Sequence, residues 1–152
     1  MRSQLRRPRL CKAAKSCCSR RLGRLRSKVL IDAINPLLSD LSGLAIGTST
    51  SAGEQVAAWA TGARVVKAFN TVGFNVMQNP KFSGGSAVMF YCGDDAAAKA
   101  IVHGLASELS FDARDAGPLS QARLLEPFAL LWISLALKYG LGREFGFQLL
   151  QR

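Results

Sequence analysis

Residues 64–77 read RVVKAFNTVGFNVM. A β-branched run, VVKAF, stops at the polar pair Asn70-Thr71, and after Gly73 an apolar helical pattern begins. A short apolar run with such an end, followed by a helix, is one unit of a chain that alternates strands with helices. In open sheets of that class the carboxyl ends of the strands line the crevice where ligands bind. Asn70-Thr71 therefore marks the end of a buried strand and a candidate ligand rim at once.

The same punctuation recurs on both sides. KVLIDA (28–33) is an apolar run ending at Asn35-Pro36, which reads as a buried strand and a turn. Residues 37–53 are rich in Ser, Gly and Thr and read as a loop. Within it, Ser51 and Glu54 have capping-box spacing ahead of a helix, EQVAAWA, that Gly62 stops. Beyond strand 64–69 the pattern predicts a short helix over about 72–78 and a loop, NPKFSGG (79–85). AVMFYC (87–92) is a third strand, and Asp94 or Asp95 caps the helix that runs to about Leu109. FDARDA (111–116) alternates partly, as an edge strand should. Gly117-Pro118 breaks it. A helix containing Pro127 then runs to about Tyr139, and after Gly140 and Gly142 a last helix closes the chain. The expected fold is α/β, a parallel sheet with right-handed crossovers and C-terminal helices. The 152 residues suit one domain.

The formal net charge of +10 sits entirely in residues 1–27, which hold ten Lys or Arg and no Asp or Glu. Residues 28–152 balance to zero, so the charge says little about the globule's partners. The arm reads as a disordered tail or a stretch foreign to the globule's family. A mitochondrial-type presequence and a nucleic-acid-binding arm are further readings, the last weakened by the lack of interleaved aromatics. Cys11, Cys17 and Cys18 form no C-x-x-C pair, and the only histidine, His103, is far away, so neither zinc nor a disulfide framework is implied. The arm has no apolar run of signal-peptide type. The apolar run after Glu126-Pro127 falls short of the roughly 18–20 residues a membrane span needs. A cytoplasmic protein without membrane or nucleic-acid partners is expected.

Few residues suit covalent or acid–base chemistry. There is no G-x-S-x-G elbow. His103 lies mid-helix, Cys92 ends a buried strand and reads as a small core residue, and Asp94, Asp95, Asp112 and Asp115 make no evident catalytic pair. Three polar strand ends remain: Asn35-Pro36, Asn70-Thr71 and Gly93-Asp94. They are expected to converge at one rim, where neutral Asn and Thr can hydrogen-bond a planar amide or ring. Ordinary turn chemistry is the alternative for each.

KVLIDAINPL, GEQVAAWATGARVVKAFNTVG, VMFYCGDD and FDARDAGPLSQARLLEP, taken in order, resemble the second half of the NADPH-dependent coenzyme F-420 reductases, Rossmann-type hydride-transfer proteins to which the oxidoreductase domain of the STEAP metalloreductases is related. The resemblance covers roughly Lys28 to Arg152. It implies that NADP lies across the strand ends with its nicotinamide facing a deazaflavin, coenzyme F-420, or another acceptor. Such an enzyme works by holding two flat rings in register. On this likeness Asn35 and Pro36 lie beside the nicotinamide, and Asn70, Thr71 and Val72 lie between the rings. Gly117, Pro118 and Leu119 form the turn into the C-terminal helices. Those helices, with Gly140, Leu141 and Gly142, shape the acceptor pocket and a homodimer contact.

The family's opening strand, glycine-rich turn and helix, which grip the pyrophosphate, have no counterpart in this sequence. GLGREFG (140–146) has the wrong spacing and comes after a helix. The expectation is a truncated oxidoreductase that holds dinucleotide poorly by itself. The alternative is a non-catalytic α/β remnant acting as a dimerisation or interaction module.

Overall fold

The computed structural model describes residues 25–152, so readings of the basic arm lie outside it apart from its last three residues. Strand β1 (Val29–Asp32) leads through a long loop to α1 (Ala52–Trp59) and β2 (Arg64–Lys67). A short helix, α2 (Phe74–Gln78), and a two-stranded ribbon, β3 (Lys81–Phe82) with β4 (Gly85–Ser86), precede β5 (Val88–Gly93). Then come α3 (Ala96–Glu108), β6 (Asp112–Asp115), a 3₁₀ turn (Leu119–Gln121) and α4 (Ala122–Leu137). The main sheet has the order β1-β2-β5-β6, with β1 and β6 at its edges.

Local signals place most boundaries. Ser51 Oγ accepts from the Glu54 amide at 3.1 Å and donates to the Glu54 carboxylate at 2.8 Å, the capping box expected from their spacing. Asp95 caps α3 through the Ala98 amide at 2.7 Å. The period of two then sorts the strands. Val65 and Cys92 face one side, where they pack with Leu119, Ala122 and Leu125 under α1 and α4. Val66 and Tyr91 face the other, against Ala98 and Val102 of α3. The result is three layers, with α1 and α4 on one face of the sheet and α3 on the other.

Three expectations need correction. β1–β2 and β5–β6 are parallel, but β2 and β5 run antiparallel, with Val66 opposite Gly93 and Lys67 opposite Cys92. The chain between them holds the five-residue α2 and the β3–β4 ribbon, with no long helix to carry it back across the sheet. It turns and returns beside β2 instead. At that junction a Cβ on Gly93 would stand 2.9 Å from the Val65 carbonyl oxygen, so only glycine allows this approach. Second, the loop over 79–85 contains part of the β3–β4 ribbon. Third, no helix forms after Gly142. The tail crosses the start of β5, where the Val88 amide donates to the Phe147 carbonyl at 2.8 Å. Phe145 stacks on Trp132 with centroids 5.2 Å apart, and Phe147 packs on Phe128. Tertiary packing overrides local helix preference there.

Trp132 also lies on the backbone just beyond β2. A Cβ on Gly73 would stand 2.6 Å from the Trp132 ring. Gly73→Ala is expected to push the indole off this site and destabilise the fold by about 1–3 kcal/mol, read as a lower unfolding midpoint in urea with altered tryptophan emission.

Candidate functional site

The period that sets Val65 on the α1/α4 face sets Lys67 there too, and its side chain is wholly buried. Its ammonium lies 2.9 Å from Asp32 Oδ2 of β1 and 2.9 Å from Glu126 Oε1 of α4, and it donates to the Ile34 carbonyl as well. All three of its donors are thus used. The Glu126 carboxylate accepts from the amides of Ala52 and Gly53, each at 3.0 Å. It sits on the first turn of α1, where the helix dipole favours an anion. Asp32 Oδ1 accepts from the Ile34 amide at 3.0 Å. A carboxylate–ammonium–carboxylate cluster therefore ties β1, β2, α1 and α4 together under the carboxyl ends of β1 and β2.

Directly beyond it the two strand-end asparagines clasp each other. Asn35 Nδ2 donates to the Asn70 carbonyl at 2.8 Å, and Asn70 Nδ2 donates to Asn35 Oδ1 at 3.1 Å and to the Leu125 carbonyl at 3.1 Å. The turn that presents Asn70 is strained. Phe69 has a φ of 60°, a left-handed conformation that bulky residues rarely adopt. Strain of this kind persists where the surroundings over-determine it, and it clusters at functional sites. Asn70 Oδ1 and Thr71 Oγ1 are buried and find no hydrogen-bond partner among the described residues.

The other predicted site residues separate from this rim. Because β5 runs backward, Gly93-Asp94 lies at the opposite end of the sheet, where Asp95 approaches Arg64 at the start of β2. The expected convergence of three polar strand ends therefore reduces to two. Gly117, Pro118 and Leu119 lie at that far end as well, with the Leu119 amide on Asp94 Oδ1 at 2.9 Å and the Gly117 carbonyl on the Gly93 amide at 3.1 Å. Pro36 is half-buried beside Asn35, and its carbonyl accepts from Ala45. Val72 faces inward, in an apolar cluster with Val76, Met89 and Phe111. Gly140, Leu141 and Gly142 are exposed past the end of α4. A shallow cleft of about 270 Å³ between the β3–β4 ribbon and the tail is lined by none of the rim residues.

Cys92 is buried, and burial pushes its thiol up to about 12, which suits a packing residue and not a nucleophile. His103 is exposed on α3 with Nδ1 3.2 Å from the Tyr91 hydroxyl. The sequence reading missed Lys67 and Glu126. The available signal was a lysine inside an otherwise apolar strand, which calls for a buried counter-ion. Lys67→Met would leave two buried carboxylates without a cation and should cost about 3–5 kcal/mol in urea unfolding. Neutralising all three residues together (Asp32→Asn, Lys67→Met, Glu126→Gln) should recover most of that loss.

No protein-family model matches the chain. Two of the solved structures that resemble it are informative. A hypothetical protein, SMa0349, from Sinorhizobium meliloti superposes with a TM-score of 0.60 at 26% identity, over 71% of this chain and 55% of that one. The other is a "putative F420 dependent NADP-reductase" from Arthrobacter sp. FB24, with a TM-score of 0.79 over 91% of this chain. The chain is thus similar to that reductase in its Rossmann-like fold and, at 33% identity, in its sequence, and it spans 65% of the reductase's length.

Proposed function

We propose that this chain forms the ring-end portion of an NADP-dependent oxidoreductase that moves hydride between NADP(H) and coenzyme F-420 or a related flat acceptor. The name of the Arthrobacter protein supports this reading, and one observation of this chain carries it. At the rim where strands β1 and β2 end, buried polar atoms of two successive residues, Asn70 Oδ1 and Thr71 Oγ1, have no partner among the described residues. A nicotinamide fits them: it is neutral and planar, with one carboxamide able to donate and accept. Asn35, Asn70 and Thr71 would hold it, and the ring supplies or takes the hydride when bound. The chain's own part is positioning. The asparagine clasp fixes the edge of the ring site, and the Lys67 cluster fixes the clasp through the Ile34 carbonyl. No general base is required.

Glu126 already occupies the first amides of α1, so that helix offers the diphosphate nothing. Grip on the diphosphate comes from elsewhere, and this chain alone should take up NADPH only in the millimolar range. Titration followed by tryptophan emission tests this, because Trp132 packs against Gly73, two residues from Thr71. A saturable change is expected, weakened at least about tenfold by Asn35→Ala, which removes one side of the clasp. A flat titration, or one indifferent to Asn35→Ala, would remove the reading.

For a partner, we infer a second copy of this chain. α4 leaves Leu124 and Leu131 65% and 49% exposed, one face of the helix with exposed Pro127 between them. Sedimentation should find a dimer that Leu131→Glu dissociates without loss of helix. A dimer that takes up no NADPH would favour the alternative, an interaction module without catalysis. No described helix is long and apolar enough to cross a membrane.

A further inference from the structure

The two edges of the main sheet are guarded differently. β6 reads DARD, mostly charged, which hinders another strand from pairing there. β1 reads VLID, without proline or bulge, and its one charge, Asp32, is turned inward onto Lys67. The backbone carbonyls of Lys28 and Asp32 accept from the Arg64 and Ala68 amides of the β2 side, at 2.9 and 3.1 Å. Alternation therefore turns the N–H and C=O groups of Val29 and Ile31 outward, and no described residue bonds them. The chain bends away from this edge at both ends. The Ser27 amide donates to the Gly62 carbonyl ahead of β2, and Asn35 reaches across to Asn70. An uncovered row of backbone groups flanked by apolar side chains is a template for a further strand.

We propose that the free edge of β1 pairs with β1 of a second copy, antiparallel about a two-fold axis at Leu30, so that two sheets join into one. This register is self-complementary. Val29 and Ile31 of one copy exchange both backbone bonds with Ile31 and Val29 of the other, which uses every outward group of the strand. Leu30 meets Leu30 on the axis, on the face where it already packs against the cluster of Val65 and Leu119. The same register sets Lys28 opposite Asp32 as a non-hydrogen-bonded pair, the kind whose side chains come closest. Lys28 is exposed, and the cluster behind Asp32 holds two carboxylates, Asp32 and Glu126, against the one ammonium of Lys67. Each copy thus brings a cation to the other's surplus negative charge. The contact uses an element other than α4 and is short, so it forms at higher protein concentration than the α4 dimer and adds to it.

Sedimentation equilibrium of the full chain carrying Leu131→Glu, which removes the α4 contact, isolates this seam. Between about 1 and 300 micromolar the weight-average mass should climb from one chain toward two. Ile31→Pro deletes an outward donor and no bond to β2, so it should abolish the climb and leave the urea midpoint nearly unchanged. Leu30→Pro, whose amide faces β2, should lower that midpoint sharply. Lys28→Glu, at an exposed position, should weaken association about tenfold, since like charges then face each other twice across the axis. A mass that stays at one chain throughout, or a climb that either Ile31→Pro or Lys28→Glu leaves intact, overturns the proposal. So does a Leu30→Pro protein as stable as the Ile31→Pro one, which would reverse the assignment of the outward groups. Where Ile31→Pro does not fold, Lys28→Glu decides.

Discussion

Lys67 brings a positive charge into the interior on the face of β2 that α1 and α4 cover, and the arrangement of that face depends on it. Asp32 answers it from the neighbouring strand and Glu126 from α4. Glu126 then has oxygens to spare for the first amides of α1. Burying such a cluster is no bargain in stability, because desolvation offsets much of the attraction. What it supplies is register. Four elements distant in sequence meet at hydrogen-bond distances that tolerate little sliding, and the Ile34 carbonyl, one residue before Asn35, is held by the same ammonium. The strand-end clasp is therefore built on a fixed base.

The reversal of β5 matters as much for the site as for the fold. With β5 parallel to β2, three strand ends would share one rim. Antiparallel, β5 and β6 deliver their ends, and the Gly117 turn, to the far side. The near rim is left with the asparagines, Thr71 and the underside of α4. Residues assigned to one cofactor by likeness to a family thus part: Asn35, Pro36, Asn70 and Thr71 stay at the near rim, Val72 turns into the core, and Gly117, Pro118 and Leu119 lie at the far end.

Much of the fold was legible because its causes are local. Ser51 with Glu54, Asp95 ahead of α3, and the partial alternation of 112–115 act within a few residues of themselves. The rim asparagines were legible as polar endings of apolar runs. Strand direction was not, since a period of two reads the same either way. Gly93 looked like turn punctuation, whereas it is the point where two backbones come too close for a Cβ. Lys67 looked like one polar residue in a strand because its counter-ions lie far along the chain. The tail looked helical until Trp132 and Phe128 offered its aromatics a surface.

The two ends of the sheet differ in kind. At one, neutral amides and a hydroxyl stand over charges sealed from solvent. At the other, Arg64 with Asp95 and Lys99 with Asp115 form partly exposed pairs at 3.7 and 2.8 Å. Mobile ions screen exposed pairs and scarcely reach sealed ones. Ionic strength therefore acts on the exposed pairs, Arg123 with Glu54 on α1 among them, and leaves the sealed Lys67 cluster as it was.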